Sequence, residues 1–167
     1  MSNLGEIVLK RPFYSPSVGS LSFFQVLRRT EEYIDQDPHT QYQLVIGSDS
    51  QVKHSRRVDF VTAIIVRRIG RGGIYFWQCL VEERQYFLRD RIYHEALLSL
   101  NLAQKFLQHF PLSLLRCYQL EIHVDVGFEG ETRLMLNEIV GMIRASGFRV
   151  QTKPCAFAAA SVADRYT

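Results

Sequence analysis

The sequence predicts an α/β protein built on a mixed β-sheet, and three observations carry that prediction. Short runs rich in β-branched and aromatic residues alternate with longer runs whose apolar positions recur every three or four residues. Residues 41–81 hold three consecutive strand patterns, the later two joined by a glycine-rich turn, which predicts an antiparallel start to the sheet. From residue 87 onward strand and helix patterns alternate, which predicts parallel pairing through right-handed crossovers. With 167 residues, 47% hydrophobic and 22% charged, the chain has the size and composition of one folded unit with a normal core.

Each element follows from local chemistry. Residues 1–19 contain Pro12, Pro16 and Gly19 and read as an extended or irregular arm pinned by Phe13 and Tyr14. An amphipathic helix is expected from Ser20, with Phe23, Phe24, Leu27 and Ile34 at helical spacing. It should end near Asp37, because Pro38 disfavours helical geometry in the residue before it. This divides the chain into an arm and helix, residues 1–38, packed on a main globular unit, residues 39–167.

A first strand over 41–51 is followed by a polar, basic connection over 52–57. Residues 60–66 are almost continuously apolar, as in a strand covered on both faces. Gly70, Gly72 and Gly73 suit a hairpin turn into an aromatic-rich strand over 74–81. A helix of about six turns is expected over 87–109 and a strand over 118–126. A second amphipathic helix over 131–146, capped by Gly147, precedes a strand over 148–152 and an alanine-rich helix over 155–165.

No apolar run approaches the roughly 18 to 20 residues of a membrane span, and the first residues lack the pattern of a signal peptide. Cys79, Cys117 and Cys155 are odd in number and lack metal-type spacing, so a reduced, cytoplasmic setting is expected. A homo-oligomer is compatible with this composition. The formal net charge is +3, and it becomes +7 if four carboxylates are neutralised by bound cations.

Four carboxylates stand where local structure does not explain them. Asp49 closes the first strand among Gly47, Ser48 and Ser50, small residues that leave room for a ligand. Glu95 lies in the apolar stripe Leu88, Ile92, Glu95, Ser99, Leu102 and Phe106 of the long helix. Asp125 follows a strand in which Glu121, His123 and Asp125 share one face, at the strand end where open α/β sheets bind ligands. Asp164 is near a helix C-terminus, where a negative charge opposes the macrodipole. His123 is read as a packed strand residue and is kept out of the catalytic set.

Converging carboxylates repel one another and retain protons unless a counter-charge is supplied. Mg2+ or Mn2+ resolves this with hard oxygen ligands, and a pair of such ions about 4 Å apart suits phosphodiester cleavage. Neither a zinc-type cluster, a Walker loop nor a nucleophile triad motif is present.

The residues Ile46-Gly-Ser-Asp-Ser-Gln51, Ile122-His-Val-Asp-Val-Gly127, Gly141-Met142, and Lys153-Pro154 followed by Ala160-Ser-Val-Ala-Asp164 carry a family likeness. They resemble the YkuK-type family of ribonuclease H-like proteins over nearly the whole chain. The resemblance implies a five-stranded mixed sheet ordered 3-2-1-4-5, flanked by helices, with an extra N-terminal helix and the Asp49 strand beside the Asp125 strand. It also implies that Asp49 contacts both metal ions, that Glu95 and Asp125 complete one site, and that Asp164 completes the other.

Two departures from ribonuclease H enzymes stand out, in that no His follows His123 and one helix alone separates the last two strands; residue 51 is Gln, so the Asp-x-Glu signature of proofreading exonucleases of this fold is absent too. The function expected is a metal-dependent nuclease acting on DNA or RNA, using Mg2+ or Mn2+, with two ions bound in the presence of substrate. Lys53, His54, Arg56 and Arg57 are the expected backbone-phosphate contacts. The alternative is a non-catalytic nucleic-acid-binding or assembly module on the same fold. A phosphate-handling ATPase relative, suggested by residues 125–130, ranks last because the chain is too short for two such domains.

Overall fold

The computed structural model describes residues 4–54, 56–114, 116–127, 132–156, 161, 162 and 164–166. The chain begins with α1 (Leu4–Lys10), the short strands β1 (Phe13–Ser15) and β2 (Gly19–Leu21), and α2 (Phe23–Asp35). Three long strands follow: β3 (Tyr42–His54), β4 (Arg57–Arg68) and β5 (Gly73–Glu82). The remainder is α3 (Leu88–His109), a 3-10 turn at Leu112–Leu114, β6 (Tyr118–Val124), α4 (Thr132–Ala145) and β7 (Arg149–Thr152).

The strands form a seven-stranded mixed sheet in the order β2-β1-β5-β4-β3-β6-β7. The expectation of five strands is therefore corrected, and the full order differs from 3-2-1-4-5. The cause is at the N-terminus. Within the arm expected to be extended or irregular, residues 13–21 form a hairpin whose Tyr14 pairs with Trp77 and extends the sheet beyond β5. Gly19, with φ of +83°, supports the turn between its strands.

The α2 helix begins later than the Ser20 expected from sequence. Ser22 accepts from the Gln25 amide and its own amide donates to the Gln25 side chain, a reciprocal cap that fixes the start at Phe23. At the other end Tyr42 is buried, and its hydroxyl lies 3.3 Å from the Ile34 carbonyl and 3.1 Å from that of Asp37. Arg68 Nε donates to the same hydroxyl at 3.2 Å, which ties the helix end to β3 and β4. Arg71 pairs with Asp37 at 3.2 Å, so this arginine and Arg68 serve the fold.

Sheet pairing is antiparallel from β3 through β5 and parallel for β3–β6 and β6–β7. The turn into β5 needs glycine: Gly70 and Gly72 have positive φ, and a Cβ on Gly73 would meet the Val66 carbonyl oxygen at 2.5 Å. Leu44, Ile46, Phe60, Ile64, Phe76, Leu102, Phe106 and Ile122 are fully buried, each contributing about 1.5–3 kcal/mol through removal from water. The α3 stripe seats Ile92, Glu95, Ser99, Leu102 and Phe106 against the sheet, while Leu88 at its start is exposed.

Candidate carboxylate site

Side-chain alternation along β3 separates the site into two faces. Ser48 and Ser50 point toward α3: the Ser99 hydroxyl donates to Ser48 Oγ at 2.9 Å, and Ser50 donates to Glu95 Oε1. Ser48 also lies 2.8 Å from Thr62 Oγ1 on the neighbouring strand. Asp49, between the two serines, projects from the opposite face. It is not at a strand end, as the sequence suggested. It sits inside a thirteen-residue strand and pairs with Val61 of β4.

Parallel register brings Asp125 beside Asp49. Gly47 pairs with His123, so Asp49 two residues on along β3 and Asp125 just past the end of β6 come near one another, close enough for the Asp125 charge to act on Asp49. Asp164 reaches that face from the C-terminal turn and shares a hydrogen bond with Asp49. Burial, followed by this contact and the negative charge of Asp164 and Asp125, raises the Asp49 pKa to about 6. Of the helix expected over 155–165, Ser161 and Val162 are helical, Cys155 and Asp164–Tyr166 form turns, and residues 157–160 and 163 lie outside those described.

Glu95 is 8% exposed. Burial is the main cause of its pKa rise to about 7; the Ser50 hydrogen bond opposes the rise, and the charges of Asp49 and Asp125 add to it. Asp125 has a cationic partner that sequence periodicity did not identify, since Lys153 Nζ lies 3.1 Å from its Oδ1. The Lys153 amide also donates to the Val126 carbonyl at 3.3 Å, holding the β7 exit against the β6 exit.

The four carboxylates thus form an Asp49–Asp164 contact, an Asp125–Lys153 ion pair and a Ser50–Glu95 hydrogen bond around one strand. Among the described residues no group of three His, Cys, Asp or Glu side chains is arranged to hold a metal ion. The donor chemistry itself suits a hard cation, being all carboxylate oxygen with raised proton affinity at Asp49 and Glu95.

His123 and Glu121 precede Asp125 on the same face of β6. Both are buried and meet at 3.3 Å between His123 Nε2 and Glu121 Oε2. Gly47, directly alongside His123, leaves space for the imidazole. Burial lowers the His123 pKa while Glu121 works the other way, and His123 Nδ1 has no hydrogen-bond partner among the described residues.

The polar, basic connection expected over 52–57 is largely strand. Lys53 and His54 continue β3, Arg57 opens β4, and a register shift between Val52 and His54 marks a bulge at the tip. Five strand steps separate Asp49 from His54, about 17 Å. Lys53 donates to Gln51, and Arg57 Nε is held by Asp59 at 2.9 Å. Arg56 and His54 are exposed.

A family model described as Ribonuclease H-like matches residues 25–167. The chain is 30% identical to the Bacillus subtilis (strain 168) protein YkuK, itself uncharacterised, over 93% of this chain and 96% of that one. No solved structure matches the chain. Among the described residues, no helix is long and apolar enough to cross a membrane.

Proposed function

This chain belongs to the ribonuclease H-like family, and from that premise we propose that it is a metal-dependent nuclease hydrolysing phosphodiester bonds in DNA or RNA. The observation that carries the reading is the contact of Asp49 with Asp164 on a sheet face that also bears Asp125. Like charges are costly to hold together, and a divalent cation is the counter-charge that oxygen donors select. Asp49, Asp125 and Asp164 are the residues that would hold Mg2+ or Mn2+ on this face, and Glu95, held by Ser50 on the α3 side and within reach of the Asp49 and Asp125 charges, would complete the set only by reaching past the end of β6. Bound there, a pair of ions would stabilise the charge developing on the attacking and leaving oxygens of a phosphodiester.

The remaining residues bind, orient and manage protons. Ser50 donates to Glu95 and fixes the carboxylate that α3 delivers. Lys153 neutralises Asp125 and lies where a substrate phosphate would compete for its ammonium group. Asp49, whose proton affinity burial and the neighbouring Asp164 raise, must be deprotonated before it acts as a ligand. The hairpin tip, with Lys53, His54, Arg56 and Arg57, stands about 17 Å from Asp49 and is suited to backbone phosphates about five duplex steps from the reacting one.

A second reading is favoured by one specific observation. Asp125 and Glu95 already have partners, as a non-catalytic nucleic-acid-binding module would allow. One experiment separates the two: labelled single-stranded, duplex, hybrid and branched DNA and RNA, incubated with Mg2+ or Mn2+ and with wild type or Asp49→Asn. The nuclease reading expects cleavage by wild type that chelation and Asp49→Asn both remove. Identical behaviour of the two proteins on every substrate overturns it, and binding that survives chelation and Asp49→Asn without cleavage establishes the binding module.

A further inference from the structure

The C-terminal turn that carries Asp164 is fastened to the sheet by an aromatic stack. Tyr166 lies over Trp77 with ring centroids 4.1 Å apart and planes 15° from parallel. Its hydroxyl is 3.1 Å from that of Tyr75, two residues earlier on β5. On the β1 side, Tyr14 tilts against the same indole at 5.1 Å. Trp77 therefore sits between a ring from the N-terminal hairpin and a ring from the C-terminal turn.

Sheet register sets this stack at a useful distance from Asp49. Trp77 pairs with Ala63, Ala63 with Gly47, and Gly47 with His123, so the row from β5 to β6 passes through a methyl group and a hydrogen. The adjacent row runs Cys79, Val61 and Asp49. Two strand spacings and one two-residue step give about 12 Å between the Trp77 and Asp49 backbones. Asp164 and Tyr166 are two residues apart, a reach of at most about 7 Å between their Cα atoms. With side chains added at both ends, one short turn spans the stack and the carboxylate contact.

The contact needs such a fastening. Two carboxyl groups brought together gain nothing from charge, and Asp164 and Arg165 of this turn are exposed. We propose that Trp77 and Tyr166 are positioning residues whose stack holds Asp164 beside Asp49, so that docking of the C-terminal turn and binding of a divalent cation favour one another. The proposal rests on the metal-site reading above, with Asp49 and Asp164 as ligands. The favouring is reciprocal by linkage: a cation that bridges the two carboxylates strengthens the stack by the same factor that the stack strengthens cation binding.

Trp77 is the one tryptophan of the chain, so its emission reports the stack directly. The test uses the full-length protein and Mg2+ alone, followed in parallel by calorimetry and by Trp77 fluorescence. Tyr166→Ala is expected to weaken Mg2+ binding about tenfold. Tyr166→Phe, which keeps the ring and removes the hydroxyl beside Tyr75, should stay within about twofold of wild type. Mg2+ should alter Trp77 emission in wild type with the calorimetric midpoint and leave it unchanged in Asp164→Asn.

Wild type that binds no Mg2+ overturns the metal site and the latch together. Equal Mg2+ affinity in wild type and a folded Tyr166→Ala overturns the latch and leaves the metal site standing. Tyr166→Phe as weak as Tyr166→Ala assigns the effect to the hydroxyl and overturns the stack. Rescue by Phe together with the coupled emission change establishes it.

Discussion

Lys153 Nζ stands 3.1 Å from Asp125 Oδ1, and this ion pair occupies the carboxylate that the strand β6 delivers to the candidate site. The lysine is more than half exposed, so the pair is weak, on the order of 1 kcal/mol or less. A cation arriving at Asp125 would displace it. Lys153→Met should therefore tighten Mg2+ binding in the absence of nucleic acid by up to about fivefold, because one competing charge is gone. Calorimetric titration of the two proteins at equal ionic strength measures this.

Asp49 has the carboxyl group of Asp164 in contact and the charge of Asp125, just past the end of β6, nearby. Asp49→Asn keeps the shape and removes the charge. If metal-supplied charge stabilisation is worth several kcal/mol, cleavage should fall by about 10³-fold or more. Single-turnover rates on the best substrate, with circular dichroism confirming the fold, provide the measurement.

Burial of Glu95 makes stability depend on pH in a defined direction. Its ordinary pKa is 4.5 and its value in the folded chain about 7, so the folded state holds the proton more tightly than the unfolded one. The associated stabilisation is fully present below about pH 4.5 and is lost progressively as pH rises to about 7, a change of about 3 kcal/mol. Glu95→Gln carries no ionising group. In chelator, the stability of Glu95→Gln relative to wild type should rise across that window and level off above it. Urea titrations at several pH values test the sign, and a flat difference contradicts it.

The Tyr42 hydroxyl joins the end of α2 to Arg68 of β4 from a position that is 1% exposed. Tyr42→Phe leaves helix-end carbonyls and a guanidinium without this partner while preserving the ring. A destabilisation of about 1–3 kcal/mol is expected from the unsatisfied groups. Chemical denaturation should show a lower midpoint at unchanged slope.

At the β3–β4 tip, Arg56 and Lys53 differ from Arg57, which is already held by Asp59. Replacing Lys53 or Arg56 by Ala should weaken nucleic-acid binding similarly across sequences and reduce the salt slope by about one for each phosphate no longer engaged. Arg57→Ala should have a smaller effect on that slope. Fluorescence anisotropy at several salt concentrations distinguishes them.

The fold was legible where the signal was short-range. The alternation Leu44, Ile46 against Val45, Gly47 marks β3, the Gly70–Gly73 run marks the β4–β5 turn, and Gly147 with φ of +89° marks the end of α4. The N-terminal hairpin was not legible. Its strands have three residues each, too few for a periodic pattern, and they are strands because β5 offers an edge for Tyr14 to pair with. The basic segment misled for a related reason, since Lys53 and His54 are polar residues carried in β3, where His54 pairs with Arg57 across a long hairpin.

By itself the sequence determined the alternating elements, the small residues around Asp49 and the strand parity that puts Glu121, His123 and Asp125 on one face. Those properties belong to neighbours one to four residues apart, where covalent geometry dictates direction. Only the tertiary structure decided that Asp164 meets Asp49 on that face, that Glu95 approaches from the other through Ser50, and that Lys153 takes Asp125 as its partner. These contacts join residues 28 to 115 positions apart. Their existence depends on how strands register and helices seat, a choice made by the burial of the whole core rather than by any local run of residues.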